Sequence, residues 1–265
     1  MLYVDKHQED NWRKGKRIKS TEMDYRTFEK NNSLACSVTG MRNKERDAEC
    51  EDIIYINETT RIKFYGLADG QSGKKYCRDG GREVLDAIFR YVVCKGISQM
   101  IQYEHVDELR YELIRVARSK IAEMALIGEE EKTEYASTIV VFAYDSQTDD
   151  YVLIHLGDGG ILGQKKDGEV IMLSSPENGL TTNYTWLTTS QEALNHLRIG
   201  FGKINGYKRV LMITDGATVL VRGKNISDRA LKYIDGQRRE DIVNYLCESN
   251  PTDDASCIII DFYDC

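Results

Sequence analysis

With 265 residues, the chain is long for one domain and short for two, since domains commonly run to roughly 100–200 residues. Its 41% hydrophobic content can fill a core, yet no apolar run approaches the roughly 18–20 residues that cross a bilayer, which excludes a helical membrane span. The 43 acidic residues outnumber the 36 basic ones for a net charge of -7, a balance that repels a phosphate backbone and argues against general nucleic-acid binding. Seven cysteines (Cys36, Cys50, Cys77, Cys94, Cys247, Cys257 and Cys265) form no CxxC pair, against both a zinc knuckle and a disulfide scaffold. The N-terminal MLYVDKHQEDNWRKGKR has no apolar segment behind its basic residues, so a cytoplasmic protein with reduced thiols is expected.

Residues 1–32 mix both charge signs without a period and read as an extension, wrapped on the surface or partly disordered. From Ser33 come three β-like runs, SLACSVTG, EDIIYI and RIKFYGLADG, expected as an antiparallel meander. Two amphipathic helices follow. The first, over 82–94, spaces Val84, Leu85, Ile88, Phe89, Val92 and Val93 by three and four, with Gly96 as its stop. The second, over 106–127, carries Leu109, Leu113, Val116, Ala117, Ile121 and Leu126 and ends at Gly128. One apolar stripe on each suits covering a sheet. A second β-rich block starts at Tyr135, where STIVVFAY and YVLIHLGDGGILG are joined by the hairpin-prone DSQTDD. EVIML and KRVLMITDG continue it, with a weakly periodic polar stretch at 174–206 between them, long enough for a flap or an extra subdomain. A helix over 238–248 and a closing strand, ASCIIIDFY, complete the chain. Grouped strands, two helices, strands, helix and strand indicate an α+β layered fold.

Asp69 in YGLADGQSG, Asp158 in LIHLGDGG, Asp215 in VLMITDGAT and Asp253 in PTDDASCIII each stand where an apolar strand meets a turn. Singly, an Asp-Gly of this kind is an ordinary turn. Four carboxylates delivered by rigid strand ends can also converge on one rim, and hard oxygen ligands so held are what magnesium or manganese requires. His155, between Ile154 and Leu156, reads as a strand-face or core histidine rather than a ligand. Asp254 is either a partner of Asp253's site or a turn residue.

Taken in order, GMRNKERDA, ADGQSG, ASTIVV, GDGG, TDGAT and DDAS resemble the motifs of the metal-dependent type 2C protein serine/threonine phosphatases, over about 33–263. GDGG in place of the more usual GDSR is similar to a divergent bacterial-type branch. The resemblance implies a four-layer α-β-β-α sandwich, two antiparallel sheets packed face to face with helices on both outer sides, occupying residues 33–265. It implies two Mg2+ or Mn2+ ions held by Asp47, Asp69, the Gly70 carbonyl, Asp215 and Asp253, with Asp69 bridging them, and a third, weaker ion at Asp158 and Asp215. Arg42, five residues before Asp47, matches the family's phosphate-binding arginine, and its planar fork suits two phosphate oxygens. Arg46 stands where most relatives carry Glu or Gln; a guanidinium turned to the ions would weaken their binding, and one turned to solvent would not. The family's proposed acid is a histidine near the first strands, and this chain has only His7, His105, His155 and His196.

Two ions about 3.5–4 Å apart that share a water bring its pKa towards neutrality, so no protein nucleophile is needed, and with Arg42 they offset charge on the phosphoryl oxygens. Three functions fit these residues: a phosphatase of phosphoserine and phosphothreonine in a phosphorylated protein substrate, a weakly active or inactive relative that binds phosphoproteins, and a phosphohydrolase of a small metabolite. Neither a nucleic acid nor a membrane is an expected partner. Setting the five candidate aspartates aside leaves 38 acids against 36 bases, so the acidic surplus concentrates at a site whose sign bound cations would reverse.

Overall fold

The apolar runs pair into two antiparallel sheets whose central strands are covered on both faces. In this computed structural model, residues 13–15, 25–30, 32–103, 105–178, 185–235 and 241–262 are described. One sheet has five strands in the order β10-β7-β6-β5-β4, where β4 is Asp52–Glu58, β5 Ile62–Asp69, β6 Ile139–Asp145, β7 Asp150–Leu156 and β10 Arg198–Lys203. The other has seven in the order β1-β2-β3-β14-β11-β8-β9, with β1 Arg13–Gly15, β2 Tyr25–Lys30, β3 Ser33–Val38, β8 Gly160–Lys165, β9 Val170–Ser174, β11 Tyr207–Ile213 and β14 Ala255–Asp261. A small hairpin, β12 (Val221–Arg222) with β13 (Asn225–Ile226), stands apart from both.

Period-2 alternation builds four layers from these strands. Tyr65, Leu67, Val140, Phe142 and Leu153 of the smaller sheet meet Val210, Met212, Ile258 and Ile260 of the larger one in the central core. The alternate residues Phe64, Ala68, Val141, Val152 and Ile154 face the helices α2 (Cys77–Lys95) and α4 (Val106–Gly128). On the opposite outer side Leu211, Ile213, Cys257 and Ile259 pack on α6 (Asp228–Asp235) and α7 (Asp241–Ser249). The four-layer α+β sandwich expected from the motifs is therefore present. Short helices α1 (Met41–Glu45), α3 (Ile97–Ile101) and α5 (Ala193–His196) fill connections. Among the described residues no helix is long and apolar enough to cross a membrane.

Several expectations change. The three runs after Ser33 do not form one meander: β3 pairs with β2 and β14 in the larger sheet, whereas β4 and β5 pair in the smaller one. The chain crosses between sheets through α1, a five-residue helix whose pattern is too short to read. Part of the expected extension is sheet, since β2 runs antiparallel to β3 from Tyr25↔Val38 to Lys30↔Ser33. The stretch 174–206 holds less flap than expected, because β10 within it is an edge strand registered on β7 from Arg198↔His155 to Lys203↔Asp150; residues 179–184 lie outside the described set. On α4 the buried line is Leu109, Leu113, Ala117, Ile121 and Ala125, so Leu126, one position beyond that four-residue repeat, is 81% exposed. The helix ends at Gly128 as expected, and the residue that caps it, Glu129, takes a left-handed conformation. The helix expected from 238 is α7; its first three expected positions lie outside the described residues, and α6 before it was unforeseen.

Candidate metal centre

Strand ends from both sheets deliver the site. Asp69 closes β5, where its amide donates to Thr138 Oγ1 at 2.9 Å and its carbonyl accepts from the Thr138 amide at 2.9 Å. Gly70 then bridges to Ser137. Asp158 lies in the turn by which the chain leaves β7 for β8 in the other sheet, a turn that Gly157 permits by adopting φ 114°. Asp215 follows β11 after Thr214, whose amide is held by the Ser256 carbonyl at 3.0 Å. Carboxylate oxygens of Asp69, Asp158 and Asp215 all lie within 4.8 Å of one another.

Asp253 joins them from the turn before β14. Its Oδ2 accepts from Arg42 Nη1 at 3.0 Å and its Oδ1 from the Asp254 amide at 3.0 Å. Arg42 is thus drawn to the site's edge by α1, although 211 residues separate it from its partner.

Asp47 is not brought to this group. It is exposed, with φ 54°, just beyond the end of α1. Asp52 is the carboxylate found there instead: it opens β4 directly across from Asp69 and is 5% exposed. Its Oδ2 accepts from Thr214 Oγ1 at 2.8 Å, while its Oδ1 is buried without a hydrogen-bond partner. The signal was in the sequence, since EDIIYI carries an aspartate, Asp52, at the edge of its apolar run. It was masked by Asp47, whose spacing from Arg42 fitted the motif. Arg46 is exposed at the C-cap of α1, on the solvent side of the two alternatives, and Glu51 is the residue that precedes Asp52.

Crowding of like charges in partly dry surroundings dominates the electrostatics. Burial, then Asp158 and Asp253, push Asp215 up to about 6. Burial followed by the charges of Asp52, Asp215 and Asp158 holds Asp69 well above the usual carboxylate range. Asp52 is raised by burial and then by Asp254, and Asp158 by burial first. Besides Asp52 Oδ1, Asp158 Oδ1 and Asp215 Oδ1 are buried without partners. Buried oxygens of this kind, mutually repelling and lacking donors, fit hard divalent cations.

A cleft of about 690 Å³ opens beside Asp52, lined by Glu51, Lys74, Lys75, Arg78 and Arg82 among others. Of the four histidines, His7 lies outside the described residues. His155 is fully buried, its Nδ1 2.7 Å from Ser174 Oγ and 3.1 Å from an Arg198 nitrogen, and burial followed by the Arg198 charge holds it far below its ordinary pKa and neutral. His196 pairs with Glu177 at 2.6 Å and stacks on Trp186.

Comparison with known proteins gives a consistent result. The family described as Protein phosphatase 2C matches residues 39–248. Among solved structures, the serine/threonine phosphatase Stp1 from Staphylococcus aureus superposes with a TM-score of 0.63 at 15% identity, covering 89% of this chain and 96% of that one. The catalytic domain of the serine threonine protein phosphatase PstP, in complex with two manganese ions, gives 0.58 at 18% identity over 88% and 98% of the two chains. RsbX in complex with magnesium gives 0.54 at 13% identity over 92% and 98%. Among proteins of curated function none matches the sequence.

Proposed function

The chain belongs to the protein phosphatase 2C family, and we propose on that premise that it is a magnesium- or manganese-dependent phosphatase of phosphoserine and phosphothreonine in proteins. The observation that carries this reading is the set of three strand-end carboxylates whose oxygens lie within 4.8 Å of one another, two of them with a buried oxygen that has no donor. Asp52, Asp69, the Gly70 carbonyl, Asp215 and Asp253 would hold two ions, and Asp158 with Asp215 a third. When bound, such ions supply a water activated near neutral pH and offset charge on the phosphoryl group.

The chain's own residues bind and orient the substrate. Arg42 presents a planar fork to two phosphoryl oxygens, and its pairing with Asp253 at 3.0 Å aims that fork at the rim of the carboxylates. The Thr138 hydroxyl and amide grip Asp69 on both sides of its backbone, so the central carboxylate enters the reaction already oriented. Asp52 takes the place first given to Asp47, and Glu51 before it supplies the acidic neighbour that Arg46 does not. With Arg46 exposed, the reason to suspect weakened metal binding falls away, which favours an active enzyme over a binding module. The described cysteines Cys36, Cys50, Cys77, Cys94, Cys247 and Cys257 are free thiols, in keeping with a cytoplasmic setting.

The test is hydrolysis of p-nitrophenyl phosphate and a phosphothreonine peptide with manganese. The wild type is expected to turn over both, chelator to abolish turnover, and Asp215→Asn to lower it at least about a hundredfold. No turnover with either metal would overturn the assignment, and unaltered metal binding in the mutant would remove Asp215 from the metal site.

A further inference from the structure

Asp254, beside Asp253, is 3% exposed, and its carboxylate gathers three donors. Oδ1 accepts from the Gly40 amide at 2.7 Å, while Oδ2 accepts from Asn43 Nδ2 at 2.8 Å and from the Glu51 amide. Each donor lies more than 200 residues away in sequence. Gly40 is the N-cap of α1, Asn43 its buried residue, and Glu51 the last residue before β4. A carboxylate has an acceptor oxygen on each side for these three N–H groups, whereas an amide in its place would turn its own NH2 against at least one of them.

The surrounding backbone adds to this hold. The amides of Met41 and Arg42, left without partners inside a helix by its geometry, donate to the carbonyls of Pro251 and Thr252 at 3.0 and 3.1 Å. A helix of five residues cannot persist by itself, so its position is set by what it is tied to. Arg42 on that helix and Asp52 at the start of β4 are therefore referenced to the same turn that carries Asp253.

We infer that Asp254 is a positioning residue: its carboxylate fixes Arg42 and Asp52 relative to Asp253, coupling the phosphate-binding arginine to the metal ligands. This rests on the phosphatase reading above. Loss of the carboxylate would loosen both groups while removing neither, so substrate affinity and metal affinity fall together. A residue that served stability alone would lower the melting temperature and leave both affinities intact.

The experiment compares the full-length wild type with Asp254→Asn and Asn43→Ala, using manganese calorimetry and steady-state hydrolysis of p-nitrophenyl phosphate well below each protein's melting temperature. Asp254→Asn is expected to weaken manganese binding about tenfold or more and to raise KM severalfold, with a smaller fall in kcat at saturation. Asn43→Ala, which removes one donor and keeps the carboxylate, shifts both constants in the same direction by less. Unchanged manganese affinity and KM in the folded variants would overturn the inference, and if Asp254→Asn does not fold, Asn43→Ala decides by the same two constants. A wild type that binds manganese without hydrolysis refutes the phosphatase reading alone, and Asp254 is then judged on the calorimetry: a tenfold loss upholds it and an unchanged affinity rejects it. A wild type that binds no manganese overturns both.

Discussion

Asp47 and Asp52 are five positions apart and have opposite surroundings. Asp47 is exposed at a left-handed backbone position, where water already satisfies it. Asp52 is buried opposite Asp69 with one oxygen lacking a donor, so a cation has most to offer there. Asp52→Asn is accordingly expected to weaken manganese binding about 10–100-fold, whereas Asp47→Asn and Arg46→Glu leave the metal titration unchanged. Calorimetry on the three variants checks this, and an equal loss in Asp47→Asn would return that residue to the site. Asp69, Asp158, Asp215 and Asp253 were legible because each ends or precedes an apolar strand, a pattern that survives in one dimension. The choice between Asp47 and Asp52 was not, since it depends on how α1 folds Arg42 back onto Asp253.

Helices α2 and α4 could be read from their 3.6-residue stripes, and nearly every β-rich segment from its apolar run. Elements the sequence concealed, among them α1, α6, β2 and β10, were short or weakly patterned. Of these, α1 matters most for the site, and it is seated by close approach. A Cβ on Gly40 would clash with the Asp253 carbonyl carbon, and one on Gly216 with the Asp254 backbone carbonyl oxygen, so the turn bearing Asp253 and Asp254 is wedged between two glycines. Backbone atoms on the far side cannot yield as a flexible side chain would. Gly40→Ala should cost about 1–3 kcal/mol in urea unfolding and raise the manganese needed for half-maximal activity; an unaltered unfolding midpoint would show that α1 has room to move.

Across the whole molecule, the carboxylate site makes stability depend on both pH and metal. An unfolded aspartate titrates near about 3.9, while folded Asp215 is raised to about 6, with Asp52, Asp69 and Asp158 shifted the same way. The folded metal-free chain therefore binds protons more tightly than the unfolded one. The Asp215 part of this contribution to stability is complete below about pH 4 and lost as pH rises through about 6. Manganese takes over the protons' role, so its gain in melting temperature should be larger near pH 7.5 than near pH 5; equal gains would mean that the ions do not sit among these carboxylates.

The sequence by itself determined the layered α+β class, the two sheet-covering helices and four of the aspartates, because burial periodicity and strand-end turns are local properties. Only the tertiary structure decided which sheet each strand joined, which carboxylate lies across from Asp69, and that Asp254 ties α1 and the start of β4 to the turn before β14. The Asp254 contacts join segments some 200 residues apart; like the strand pairing, they are fixed by sheet register and by the close packing of α1 on the Asp253 turn, neither of which leaves a period in the chain.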